Sequence, residues 1–311
     1  IHSPASPPAR QPDPPALRVL PNPNFCASAS RAPLANLVPA DTALPPPPLS
    51  TTCDCYSIKN GSARPSPTAI LLRKIMHREY HKWYSSRLGR DMELLIHGHG
   101  GLPVLVFPTS GGRFFEFEDR GLAHSLSGKI DAGEIQLYCV DSIDMESWYN
   151  RNAPPRWRIA RHVQYEEYLL NEVLPLIRQK NWNPKLISLG CSFGGFHAAN
   201  IAFRHPDIFT GMLSMSGAFD MTGFLRGYSD QDVYFNTPTQ YLQNISDPWY
   251  FERFRRNTYV LATGWDDQCL GSNQQLDQIL SHKGIPHQLY IWDTWNSHDW
   301  PTWKQMLDHY L

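Results

Sequence analysis

An α/β fold, with a mostly parallel, doubly wound sheet covered by helices on both faces, is predicted by three features of this chain. Strand-like and helix-like patterns alternate from Asp91 to the end, as parallel strands joined by helical crossovers require. An apolar run up to Leu189 breaks into Gly190-Cys-Ser-Phe-Gly-Gly195 and then reads as a helix. Of 27 prolines, 16 fall within the first 70 residues, which keeps most of this breaker residue out of the alternating part.

Taken in order, Met92 to His97 and Pro103 to Phe107 read as strands, and their closeness across Gly98-His-Gly-Gly-Leu102 predicts an antiparallel hairpin. Glu116 to Leu126 reads as a helix and Ile135 to Val140 as a third apolar strand. Arg161 to Arg178 carries Val163, Tyr165, Leu169, Leu170, Val173, Leu174 and Ile177 at helical spacing. The strand before Gly190, a helix to Arg204 and a strand from Gly211 to Ser216 follow. Tyr259 to Thr263 and Gln288 to Trp292 are strands around a helix near Asn273 to His282, and Trp300 to Leu311 closes the chain as a helix. Residues 220–256 break the alternation with aromatics such as Phe224, Tyr234, Trp249 and Tyr250 among Asp, Asn and Pro. Placed after a strand, they read either as packing of an insertion or as a lid or substrate wall.

Residues 1–70 include Pro45-Pro-Pro-Pro48 and show no sustained apolar periodicity, so a disordered, polyproline-like extension is expected there. The chain starts without Met, and folded-looking sequence begins at Met76, which leaves open whether this stretch is upstream or non-native sequence. The folded unit is expected over 76–311.

A net charge of −1 with 18% charged residues gives no basic footprint for nucleic acid. No apolar run approaches the ~20 residues of a membrane span, and prolines interrupt any secretory leader. A cytoplasmic location without membrane or nucleic-acid partners follows. The six cysteines have no metal-ligand spacing; Cys53 and Cys55 sit in the proline-rich stretch, and Cys139, Cys191 and Cys269 read as small core hydrophobes. No metal and no cofactor are expected. A homo-oligomer is left open.

The Gly190–Gly195 segment is a nucleophile elbow, G-x-S-x-G between a strand and a helix. A serine held on a sharp turn is exposed to substrate, and Gly190 and Gly194 remove the side chains that would collide there. The helix that follows aims backbone N–H groups at a developing oxyanion, so Phe193 N–H is the first donor. Such a serine needs a base, and the base needs a carboxylate on later strand-end loops, in the order Ser, acid, His. His298, in Asn296-Ser-His-Asp-Trp-Pro301 after the last strand, is the expected base. His197, His205, His282, His287 and His309 lack that placement and read as packing, terminus or surface residues. The acid is Asp266 or Asp267, adjacent after the strand ending at Gly264.

The second oxyanion donor should follow an early strand. His97-Gly-His-Gly-Gly101 has the composition of such a motif but precedes its strand, so it reads as a turn at the wrong edge. Pro108-Thr-Ser-Gly-Gly-Arg113 follows the strand, and Gly112 N–H is the expected donor, with Gly111 and Arg113 as alternatives. Gly111 is also expected to line the substrate. Trp148 and Tyr149, after the strand ending at Val140, are expected to form an acyl or alcohol pocket.

With these residues in place, the chain from about Met76 onward resembles the Putative esterase family of the α/β-hydrolase superfamily, whose wider relatives include esterase D, or S-formylglutathione hydrolase, and the mycobacterial mycolyltransferases. The likeness is carried by Arg78-Glu-Tyr80, Phe107-Pro-Thr-Ser-Gly-Gly112, Gly190-Cys-Ser-Phe-Gly194, Ser214-Met-Ser-Gly-Ala-Phe-Asp220 and His298-Asp-Trp-Pro301, and is greatest to a bacterial branch. It implies an α/β-hydrolase fold, favours Asp267 as the acid, and agrees with Gly112 as a donor. The expectation is a serine carboxylic-ester hydrolase with the triad Ser192, His298 and Asp267, acting on short-chain or small aromatic esters. An acyltransferase with the same triad and a non-catalytic binding protein on this scaffold are the alternatives.

Overall fold

The computed structural model describes residues 76–295 and 297–311. The proline-rich extension expected at 1–70 lies outside the described residues. The chain runs through β1 (Arg78–Ser85), β2 (Arg90–His97), β3 (Leu102–Phe107), three short helices α1 (Glu116–Asp119), α2 (Leu122–Ser125) and α3 (Ser127–Ala132), and β4 (Ile135–Val140). Helix α4 (Pro155–Tyr168) continues through a π-helical turn, Leu169–Val173, into α5 (Leu174–Lys180). Then come β5 (Ile187–Cys191), α6 (Phe193–Arg204), β6 (Gly211–Met215), α7 (Thr222–Leu225), α8 (Gln231–Phe235), α9 (Pro238–Asn244) and α10 (Pro248–Phe254). Last are β7 (Thr258–Gly264), α11 (Leu270–His282), β8 (Gln288–Trp292) and α12 (Trp300–Tyr310).

The eight strands form one sheet in the order β1-β2-β4-β3-β5-β6-β7-β8. All pairs from β4 to β8 are parallel, and β1 and β2 are antiparallel additions at one edge. Successive residues of β3 feed different cores: Leu105 and Phe107 join Phe196, Ile201 and Tyr259, whereas Val104 and Val106 join Ile130, Leu213, Trp303 and Met306. The period of two thus places an apolar layer on each face, and truncating a core residue such as Leu213 would cost roughly 2–5 kcal/mol.

Several expectations are corrected. The β2–β3 hairpin does not exist, because β4 lies between them: Leu94 pairs with Val140 and Val104 with Leu137. The hairpin is instead β1–β2, with Arg78 opposite His97, and β1 was absent from the sequence reading. Finally, the helix expected at 116–126 is two short helices, α1 and α2, interrupted where Gly121 turns to φ 74°. The long helix also starts earlier than Arg161, at Pro155, where proline's fixed φ suits the first helical position.

Glu172, on the π-helical turn, holds β1 down. Its carboxylate accepts from Trp83 Nε1 at 2.7 Å, Ser85 Oγ at 2.9 Å and the Arg87 N–H at 3.3 Å. Among the described residues, no helix is long and apolar enough to cross a membrane.

Candidate active site

Parallel strands end on one edge of the sheet, so segments distant in sequence meet there. At the end of β5 the chain must reverse into α6, and Ser192 takes the turn at φ 55°, ψ −120°, a strained conformation for a residue with a side chain. The crowding that the glycines relieve is severe. A Cβ on Gly190 would lie 2.2 Å from the Gly194 carbonyl oxygen, and one on Gly194 would lie 2.5 Å from that of Pro108. Ser192 N–H donates to the Met215 carbonyl at 2.8 Å, which locks the turn to β6.

The loops after β7 and β8 supply the partners. His298 Nε2 lies 2.9 Å from Ser192 Oγ, and His298 Nδ1 lies 2.9 Å from Asp267 Oδ1. The Asp267 side chain is wholly buried and the imidazole one-fifth exposed. Burial alone would raise the Asp267 carboxyl, but the hydrogen bonds from His298 and from Cys269 N–H outweigh it and hold the group below its usual value. Asp266 faces the same loop from its other side: it accepts from Ser297 N–H at 3.2 Å and from the Ser297 hydroxyl. Of the two adjacent carboxylates, one meets the imidazole and the other fastens the residue before it. The Trp303 ring stands edge-on to the His298 ring, centroids 5.1 Å apart.

The early-strand loop differs from expectation in its hydrogen bonds. Gly112 N–H donates to the Thr109 carbonyl at 2.9 Å, closing a turn in which Gly111 takes φ 65°. Gly111 N–H donates to Asp144 Oδ2 at 3.2 Å. Neither is free for an oxyanion in this conformation, a correction to the expected Gly112 donor. Phe193 N–H, at the first position of α6, has no acceptor within its helix.

Trp148 is also corrected as a pocket residue. It is fully buried, against His162, Phe196 and Phe224. Tyr149 is half-buried; its hydroxyl donates to Ser110 Oγ at 2.7 Å, and its ring packs on Phe193 and Phe224. Phe224 comes from the aromatic insertion, so α7 contributes to this wall. The rest of the insertion wraps the other end of α6, where a cavity of about 480 Å³ opens among Phe203, Arg204, Tyr241 and Tyr250.

Sequence reasoning missed one network. His197 does not merely pack or face solvent: its Nε2 lies 2.8 Å from the buried Asp144 Oδ1. Asp144 therefore links the elbow helix to Gly111. Its 53-residue separation from His197 left no local signal.

Among the described residues, Asp267, Cys269 and His298 bring potential metal ligands within 4.8 Å of one another. The arrangement suits hydrogen bonding better than a metal. Both imidazole nitrogens are engaged, and burial together with the neighbouring Asp267 pushes the Cys269 thiol up to about 12, far from the thiolate a metal needs.

A family model described as Putative esterase matches residues 85–311. No curated protein matches the chain. Among solved structures, a ferulic acid esterase is similar at a TM-score of 0.61 and 18% identity over 75% of this chain and 95% of its own. An S-formylglutathione hydrolase from Agrobacterium tumefaciens gives 0.60 and 14% over 75% and 92%, and one from Staphylococcus aureus gives 0.55 and 15% over 75% and 94%. At such identities the likeness is one of fold.

Proposed function

The chain belongs to the Putative esterase family of ester-hydrolysing enzymes, and from that premise we propose a serine carboxylic-ester hydrolase whose triad is Ser192, His298 and Asp267. The observation that carries this reading is the pair of 2.9 Å contacts joining Ser192 to His298 and His298 to Asp267. Ser192 Oγ attacks the ester carbonyl while His298 Nε2 takes its proton. Asp267 keeps the remaining imidazole proton on Nδ1 and stabilises the imidazolium. The oxyanion is held by Phe193 N–H at the start of α6. The imidazolium returns its proton to the leaving alcohol, and water activated by His298 then releases the acid from Ser192.

Tyr149, with Phe224 behind it, favours a short-chain or small aromatic acyl group over a long lipid chain. The Ser192→Ala variant should lose about three orders of magnitude or more in turnover of p-nitrophenyl acetate and butyrate. Turnover near wild type in that variant overturns the assignment. A series of p-nitrophenyl esters of increasing chain length, with a feruloyl ester and S-formylglutathione, tests the acyl preference.

A further inference from the structure

The loop after β3 and the start of α6 are joined by a closed circuit of side chains. Tyr149 donates its hydroxyl to Ser110 Oγ at 2.7 Å, and its ring stands edge-on to Phe193 with centroids 5.1 Å apart. Phe193 in turn meets the His197 ring edge-on at 5.0 Å, one turn further along α6. His197 Nε2 lies 2.8 Å from Asp144 Oδ1, and Asp144 Oδ2 accepts the Gly111 N–H at 3.2 Å. The circuit closes at the peptide between Ser110 and Gly111, and it contains the residue next to the nucleophile.

Its polar centre lies out of water. The Asp144 and His197 side chains are 1% and 3% exposed, and a carboxylate so buried is stable only where hydrogen bonds replace its hydration. An apolar pair would fill the same space without that demand, so packing alone does not explain these two residues. Asp144 gives one oxygen to the elbow helix and the other to the loop. His197 is held by further rings: Phe107 stacks on it at 5.6 Å, and Tyr165, His162 and Phe196 lie 5.5, 5.5 and 5.3 Å away. The imidazole is therefore a fixed post. Gly111 takes φ 65°, and a glycine moves freely unless its N–H is held.

We propose that Asp144 and His197 are positioning residues for the reaction at Ser192: together they brace the Ser110–Gly112 loop against the elbow helix and fix its distance from Phe193. The inference rests on the reading of Ser192, His298 and Asp267 as a triad with Phe193 N–H on the oxyanion. Each residue acts through the backbone or ring it holds and touches no reacting atom. Binding a ground-state ester tolerates a loosened loop, whereas the tetrahedral intermediate needs its surroundings preset. The effect therefore falls on kcat and spares KM.

The test is kcat and KM for p-nitrophenyl acetate in Asp144→Leu, Asp144→Asn, His197→Phe and His197→Gln. Leucine fills the space and removes both acceptors, so kcat should fall about a hundredfold with KM unchanged. Asparagine keeps an acceptor for Gly111 N–H, and its amide can donate to His197 in the other tautomer, so kcat should stay within about tenfold of wild type. His197→Phe keeps a ring against Phe107 and Phe193 but removes the N–H, while His197→Gln returns an N–H near the place of Nε2; kcat should fall in the first and recover in the second. A merely structural role predicts the reverse order, because leucine and phenylalanine suit a buried site better than the amides. That reverse order, wild-type kcat in both apolar variants, or losses that appear as a raised KM overturn the proposal. Where Asp144→Leu does not fold, the His197 pair decides by the same order. Amide exchange at Gly111 in Ser192→Ala, with and without the Asp144 or His197 substitution, reads the brace without turnover. Exchange should quicken about tenfold or more when the acceptor is lost, and unchanged exchange overturns the proposal. An active Ser192→Ala variant would sink the triad reading and leave the exchange readout intact.

Discussion

Strand β3 is bounded by two glycine-rich turns of similar composition and opposite use. The turn before it, His97–Gly101, is pinned by amide side chains: Gln136 Nε2 donates to the Gly98 carbonyl and Asn181 Nδ2 to the Gly101 carbonyl, each at 3.1 Å. Gly101 takes φ 87°, and a Cβ there would lie 2.3 Å from the Glu134 carbonyl. The turn after it, Pro108–Arg113, is organised by carboxylates. Glu116 takes the Thr109 N–H at 2.8 Å, Asp144 takes that of Gly111, and Asp141 takes the Arg113 side chain at 2.6 Å. The first turn joins strands and the second reaches Ser192. Their glycines serve different ends, and only the direction of the strand between them says which.

The largest effects should come at the carboxyl edge. Asp267→Asn should lower kcat/KM by about three to four orders of magnitude, because the imidazole loses the tautomer it needs. Asp266→Asn, which only loosens Ser297, should cost about tenfold. Equal losses on p-nitrophenyl acetate would erase the distinction between these neighbours. At the other edge, Gly101→Ala should reduce stability to urea by roughly 2–4 kcal/mol and leave kcat of the folded enzyme unchanged. A fall in kcat without a fall in stability would make that turn part of the site after all.

The smallest effect separates two buried histidines. His162 lies beneath the site edge, where burial, reinforced by His197, pushes its imidazole down to about 3; burial likewise lowers His97 at the opposite edge, against an ordinary value of 6.5. Both are neutral in the folded state at pH 7. Their contribution is fully present above about pH 6.5, and that of His162 is lost as pH falls from there towards about 3. Urea midpoints at pH 7.5 and 4.5 should therefore differ less in His162→Phe than in His97→Phe, and both less than in the wild type.

Much of this was readable without coordinates where the constraint is local. The Gly190–Gly195 elbow is a steric necessity written within six residues. Apolar runs such as Val104–Phe107 and Ile187–Leu189 mark buried parallel strands, and chain order brought His298 and Asp267 to the site. What escaped depends on distant partners. Strand β1 alternates exposed and half-buried residues with no apolar face, so Arg78–Ser85 carried no periodic signal. Nearness in sequence suggested the β2–β3 hairpin, but β4 was a better partner for β2. Trp148 was placed near the right loop but on its buried side. The fate of the Gly112 N–H depended on a turn that composition leaves open.

Glu172 gives the sheet a detachable margin. One carboxylate gathers Trp83, Ser85 and the Arg87 N–H, so the turn end of the outermost hairpin is fastened to the helix layer through one side chain, whereas β5 and β7, which lead to Ser192 and Asp267, are buried along nearly their whole length. Opening that latch would loosen the 86–89 turn, already exposed at Ser86, Arg87 and Gly89, before any strand nearer the site. Fraying and proteolytic nicking are thereby directed to a border where Ser192, His298 and Asp267 do not feel them.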